Sequence, residues 1–178
     1  MKNNKKNSPY LMDEDAVKIL TALQKNSNNS YNSIAHRCGF SRQKVWRVIK
    51  QLEENHLIWG YTAVSDEQKQ GLQKFVLLIK RSMQKLEEKT ADIIASNKLE
   101  ADYLKIGITI ESSYYLHGEY DWVLIFTTKN LKYAKKFSNL LMEMYPGVIT
   151  KVNLMQVLYT KRTHHILNPN TQKLKDFL

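Results

Sequence analysis

Over about the first sixty positions apolar residues recur at helical spacing, and beyond them they gather into short continuous runs separated by two further helical stripes. Ala16, Ile19, Leu20 and Leu23 fall at i, i+3, i+4 and i+7, the stripe of an amphipathic helix. Met12-Asp-Glu-Asp15 places acids at its start, where unpaired N–H groups and the positive dipole end favour them. Asn26-Ser-Asn-Asn29 ends this helix, and a second, short one starts near Ser30 with Ile34, Ala35 and Cys38 on its inward face. Gly39 supplies a turn, and Ser41 is a good N-cap for a third helix predicted from about Arg42 to Glu54.

On the third helix Val45, Val48, Ile49 and Leu52 form the stripe to be buried. At about 100° per residue, Gln43, Arg47 and Lys50 fall on the opposite face, with Lys44 and Trp46 on the flanks. Between Ser41 and Leu52 there are four basic residues and no acid. Alone, such a face reads as a solvated basic surface. After a short helix and a glycine turn it is the second helix of a helix-turn-helix, the one that enters the major groove of double-stranded DNA. Ser41, Gln43, Lys44 and Arg47 lie on the early turns that meet base edges, where Gln suits adenine and Arg guanine. Arg42, Lys50 and, on the preceding helix, Arg37 are placed for phosphates.

The later residues change period. Leu57-Ile-Trp-Gly-Tyr-Thr-Ala-Val64 is rich in strand formers and leads into the polar linker Ser65 to Gly71. Phe75 to Ile79 is an unbroken apolar run between lysines, as expected of a buried central strand. Met83, Leu86, Thr90, Ile93 and Ile94 mark a helix. Ile106 to His117 and Trp122 to Thr127 read as two strands of a hairpin through His117-Gly-Glu-Tyr120. Ala134, Phe137, Leu141 and Met144 mark another helix, Pro146-Gly147 ends it, and Val148 to Tyr159 supplies a last strand. Strand, helix, two strands, helix, strand is the ferredoxin-like βαββαβ order, so the fold class is α+β.

Composition narrows the function. The 178 residues carry 27 Lys plus Arg against 17 Asp plus Glu, a net charge of +10 that points first toward nucleic acid. The excess is spread along the chain: ten basic and six acidic residues up to position 66, seventeen and eleven after it. No run approaches the roughly 20 apolar residues of a membrane span, and the N-terminus lacks the apolar core of a secretory signal. Cys38 is the single cysteine, which excludes a disulfide framework. The six glycines form no phosphate-cradling loop. These features describe a cytoplasmic protein without a membrane partner, with no cofactor, no metal site and no catalytic constellation.

Residues 12–72 resemble the DNA-binding half and hinge of the Lrp/AsnC, or feast/famine, transcription regulators. The resemblance rests on Met12-Asp13, Ile19-Leu20, Leu23-Gln24, Ala35, Gly39-Phe-Ser41, Val45, Ile49, Leu52-Glu53 and Ile58-Trp-Gly-Tyr-Thr-Ala63. In the second half, Gly118-Glu-Tyr-Asp121 before an apolar strand and Pro146-Gly-Val148 after a helix resemble the same family's regulatory domain. The chain departs from the family pattern at Ala16, where a second Asp is usual, at Asn28 and Val48, where Arg is usual, and at His56, which replaces the glycine that commonly ends the recognition helix. Asn97 to Lys105 is longer than the usual connection and reads either as an extension of the second strand or as a surface loop.

The resemblance implies an arm over 1–10, a helix-turn-helix domain over 11–62, a hinge over 63–72, a regulatory and oligomerisation domain over 73–162, and a tail over 163–178. It implies a transcriptional regulator that forms homodimers and higher oligomers, pairing the hinge strand with its partner copy. An amino acid or similar effector then modulates its oligomeric state or operator affinity. By the same resemblance Gly118, Tyr120 and Asp121 are the effector-binding residues, although Gly118 reads equally as a turn residue with positive φ and Asp121 as a turn cap. Two rival readings are an enzyme on this architecture, like the tetrapyrrole decarboxylases, and a ligand-independent architectural DNA protein. The weaker signals read as ordinary structure. His164-His165 on an extended chain point apart, Cys38 belongs to the core, and Lys129, Lys132, Lys135 and Lys136 form a solvated face. Lys2, Lys5 and Lys6 could add phosphate contacts from the arm, and Thr171 could cap a short helix to Leu178.

Overall fold

The computed structural model describes residues 12–96 and 98–178, so the basic arm assigned to 1–10 and Asn97 lie outside the described residues. The chain clusters into two compact units. One comprises the chain up to Val64 together with Lys161–Thr171, and the other comprises Ser65–Thr160 with Gln172–Leu178.

The first unit is built on α1 (Glu14–Lys25), α2 (Tyr31–Cys38) and α3 (Arg42–Glu54). Each helix starts on a side-chain cap. Asp13 Oδ1 accepts from the Ala16 N–H at 2.7 Å, Ser30 Oγ from Ser33 at 3.2 Å and Ser41 Oγ from Lys44 at 3.2 Å. Caps of this kind are each worth about 1 kcal/mol. Ile19, Ile34, Val45, Ile49 and Leu52 interlock at the centre of the three helices. Cys38 only borders this core, half-exposed, with its thiol 3.8 Å from the Lys18 carbonyl.

Gly39, at φ 73°, ends α2 in the left-handed region. The end of α3 takes the same shape without a glycine. His56 sits at φ 56°, its N–H bonded to the Glu53 carbonyl at 3.0 Å, while the Leu57 N–H reaches Leu52 at 2.9 Å. This pair of bonds is the Schellman arrangement, which requires a left-handed residue at His56. Beyond it, 57–64 is not the expected strand, because no strand pairs with it. A strand exists only by hydrogen bonding to a neighbour, and this segment finds none among the described residues.

The second unit holds β1 (Gln73–Arg81), α4 (Glu88–Ala95), α5 (Lys98–Lys105), β2 (Thr109–Tyr115), β3 (Trp122–Thr128), α6 (Leu131–Met144) and β4 (Ile149–Gln156). The sheet order is β2-β3-β1-β4 with every neighbour antiparallel, the ferredoxin-like arrangement. Phe75, Leu77 and Ile79 of β1, Leu124 and Phe126 of β3, and Phe137 and Leu141 of α6 are buried together on one face. Lys74, with its side chain 10% exposed, lies between Glu67 at 2.5 Å and Glu111 at 2.9 Å. The two carboxylates hold its ammonium above the usual lysine range, against the pull of desolvation.

Two expectations change here. The stripe from Met83 does not start a helix: Met83 is fully exposed and α4 begins at Glu88. Within the connection read over 97–105, residues 98–105 supply neither a strand extension nor a loop, but the extra helix α5. Tyr103 explains it, being 5% exposed and edge-on to Phe137 at 4.9 Å, so this insertion donates a core residue. Past β4, β5 (Arg162–Thr163) and β6 (Ile166–Leu167) form a small hairpin, and Thr171–Phe177 is a 3-10 helix. His164 and His165 are not on an extended chain as expected, for both occupy left-handed positions, φ 42° and 65°, at the turn of that hairpin.

Candidate nucleic-acid interface

The α3 stripe Val45, Val48, Ile49 and Leu52 is buried, which turns Gln43, Arg47 and Lys50 outward together. Arg42 and Ser41 are exposed at its N-terminus, and Arg37 is exposed on α2. Ser41 is already engaged as the cap of α3, so its hydroxyl fixes the helix before it can touch a base. Lys44 is committed as well. Its ammonium is ion-paired with Asp15 on α1 and stands 4.3 Å from the Phe40 ring centre, which draws it off the open face. Lys50 bonds Glu53 at 3.1 Å, which raises its pKa and lowers that of Glu53. Glu53 also accepts from Tyr61 Oη at 3.0 Å; burial first, then this bond, pushes the Tyr61 phenol up to about 12. Trp46, placed by helical spacing on the flank of this face, is half-exposed one turn from Arg42 and Lys50. Its indole is left half-uncovered next to this basic face.

On the second unit, the three residues of the expected effector loop are held differently. Asp121 Oδ2 accepts the Arg81 backbone N–H at 2.7 Å, and its own N–H donates to Ile79 at 3.0 Å. Its carbonyl accepts from Leu116 at 2.8 Å, so Asp121 buttons the β2–β3 hairpin to the end of β1. Tyr120 lies under Lys151, 5.9 Å from its ring centre. Gly118 is exposed and does not have the positive φ of a turn glycine; the left-handed glycines are Gly39, Gly71, Gly107 and Gly147.

Comparisons with known proteins bear on both units. A family described as winged helix-turn-helix DNA-binding matches residues 12–58. The HTH-type transcriptional regulator Ptr1 of Methanocaldococcus jannaschii is 31% identical over 157 residues, covering 86% of this chain and 94% of its own. This chain belongs to the Lrp/AsnC family of transcriptional regulators. The fold agrees with an AsnC family transcriptional regulator from Agrobacterium tumefaciens, TM-score 0.66 at 20% identity over 88% of this chain and 97% of that one. It agrees equally with a transcriptional regulator of Neisseria meningitidis crystallised with L-methionine, TM-score 0.65 at 21% identity over 91% and 99%.

As an Lrp/AsnC regulator the protein binds DNA and is not an enzyme, which removes the decarboxylase reading. Its departures from the family pattern have visible structural settings. Ala16 is 1% exposed in the helical core. Val48 is buried in the α3 stripe, and Asn28 makes a turn by donating its backbone N–H to Asn26 Oδ1 at 3.0 Å. Among the described residues no helix is long and apolar enough to cross a membrane, and no three His, Cys, Asp or Glu gather as metal ligands.

Proposed function

We propose that this Lrp/AsnC regulator binds specific operator sequences through α3 and that a small effector alters its assembly or its hold on DNA. The observation that carries the first part is the outward face of Gln43, Arg47 and Lys50 on a helix with no acid between Ser41 and Leu52. Gln43 and Arg47 read base edges, while Arg37, Arg42 and Lys50 neutralise phosphates. Lys44 joins them only by leaving Asp15.

A homodimer presents α3 twice, so the preferred site is a pseudo-palindrome. Two features support assembly. Segment 57–64 is rich in strand formers yet pairs with no strand among the described residues, with Trp59 95% exposed. The face of the sheet opposite the buried β1 and β3 residues carries Val76, Leu78, Val123, Ile125 and Met155, all partly exposed. Dimers then associate further, and the residues around Gly118, Tyr120 and Asp121 receive an amino acid at the meeting of neighbouring subunits. L-methionine in the Neisseria meningitidis protein supports that effector class.

Footprinting of genomic fragments with and without a panel of amino acids tests the reading. An effector-dependent change in protection is expected in the wild type and is lost in Asp121→Asn, which keeps an oxygen to accept the Arg81 N–H while removing the charge. Protection that ignores every amino acid favours the architectural alternative.

A further inference from the structure

The helix-turn-helix unit includes a hairpin from the far end of the chain. Residues Lys161–Thr171 cluster with α1, α2 and α3, and β5 with β6 is the one strand pair among that unit's described residues. The ladder is short. Arg162 faces Leu167 and Thr163 faces Ile166, the Asn168 N–H donates to the Lys161 carbonyl at 3.0 Å, and the Arg162 guanidinium donates to the His165 carbonyl at 3.3 Å. A hairpin of this size is marginal by itself. This one adds little to a core, since Ile166 and Leu167 stay 38% and 45% exposed. Apolar packing therefore does not account for it. The turn sharpens the point. His164 and His165 form its two-residue loop, at φ 42° and 65°. Two successive positive φ angles define a type I′ turn, for which Asn-Gly is the low-cost sequence. A residue with a Cβ is strained there, yet both positions carry an exposed imidazole. Strain of this kind gathers at functional sites.

The charge around the turn is of one sign. Lys161 and Arg162 open the hairpin and are both exposed. Between Glu143 and Asp176 there are five Lys or Arg and no acid. On α3 both lysines are ion-paired with carboxylates, whereas no ion pair among the described residues holds Lys161 or Arg162. A two-stranded ribbon is one of the elements that fit a DNA groove, and its cationic side chains neutralise phosphates. We infer that the β5–β6 hairpin is a second DNA-contacting element of this regulator. Lys161 and Arg162 take phosphates, and the imidazoles of His164 and His165 donate hydrogen bonds to the DNA from the tip. The hairpin contributes affinity, while base preference stays with α3, so this inference goes beyond the reading of α3 and is separable from it.

The test is a fluorescence anisotropy titration of the full chain with a mixed-sequence DNA duplex over a range of salt. Lys161→Gln and Arg162→Gln should each flatten the logarithmic salt slope by ~0.9, one phosphate contact. Arg162→Lys keeps the charge but not the fork that holds the His165 carbonyl, and should keep the wild-type slope. His164→Asn combined with His165→Gly gives the turn its preferred sequence, so the hairpin holds, and should weaken binding by ~2–12-fold, the worth of one hydrogen bond. Sedimentation velocity of each variant without DNA should match the wild type. The inference is overturned if Lys161→Gln and Arg162→Gln keep the slope, or if Arg162→Lys loses it as Arg162→Gln does. It is overturned as well if the turn variant binds as tightly as wild type. A change in sedimentation of the free protein with unchanged DNA binding would overturn it too, making the hairpin a contact between subunits. The hairpin variants should keep the wild-type base preference. Its loss in Arg47→Ala reports on α3 separately.

Discussion

Replacing His56 by glycine should stabilise the DNA-binding unit. His56 holds φ 56° at the end of α3, fixed there by two backbone bonds, from its own N–H to Glu53 and from Leu57 to Leu52. A side chain with a Cβ costs about 1–2 kcal/mol in the left-handed region. Glycine removes that strain but gives the unfolded chain more freedom, a loss of about 0.5–1 kcal/mol. The difference is a net gain of about 0.5–1 kcal/mol. The imidazole is exposed and makes none of the described hydrogen bonds or ion pairs, so little is lost with it. For a unit of this size, that gain raises the melting midpoint by ~2–8 °C. Differential scanning calorimetry measures it, with His56→Ala as the control. Alanine keeps the Cβ, so it should melt no higher than wild type, and asparagine should fall between. A His56→Gly protein that melts with or below the alanine variant would refute the backbone argument.

Two further perturbations probe the interface and the core. Asp15→Asn releases Lys44 and removes a carboxylate beside it; DNA binding should tighten and its logarithmic salt slope steepen by ~0.9, one phosphate contact, in a fluorescence anisotropy titration. With both partners about a third exposed, the lost ion pair should cost under about 1 kcal/mol of stability. Phe137→Ala empties a fully buried position packed edge-on against Tyr103 and Phe126 at 4.9 and 5.0 Å, and should cost ~3–5 kcal/mol in urea unfolding of the second unit.

How much was legible in the sequence depended on the range of the interactions. Caps and helical stripes act over three or four residues, so α1, α2, α3 and α6 could be read from neighbours alone. The same holds for the βαββαβ order, since β1 and β3 carry continuous apolar runs and β2 and β4 a local density of strand-forming residues. The 57–64 segment misled because strand propensity describes a surface that wants a neighbour, and the neighbour is not in this chain's described residues. Helix α5 is hard to see in the sequence because, among its described side chains, Tyr103 alone is buried in the core, too little to mark a stripe. At the site, the orientation of Gln43, Arg47 and Lys50 followed from the buried stripe opposite them. The engagement of Lys44 by Asp15, 29 positions away, and of Asp121 by Arg81, 40 away, could not follow from spacing. Both findings bear on roles: Lys44 is held by Asp15 of α1, and Asp121 anchors the hairpin to the end of β1.

The central claim is that α3 reads base sequence with Arg47 and grips phosphate with Lys50. Binding of wild type, Arg47→Ala and Lys50→Ala to a library of operator half-sites, at two salt concentrations, tests it most directly. Arg47→Ala should lose ~1–3 kcal/mol of discrimination at one base position and keep the rest of the preference. Lys50→Ala should weaken all sequences alike and flatten the salt slope by about one contact. If both variants keep the wild-type preference and salt slope, α3 does not lie in the groove with this face toward the bases.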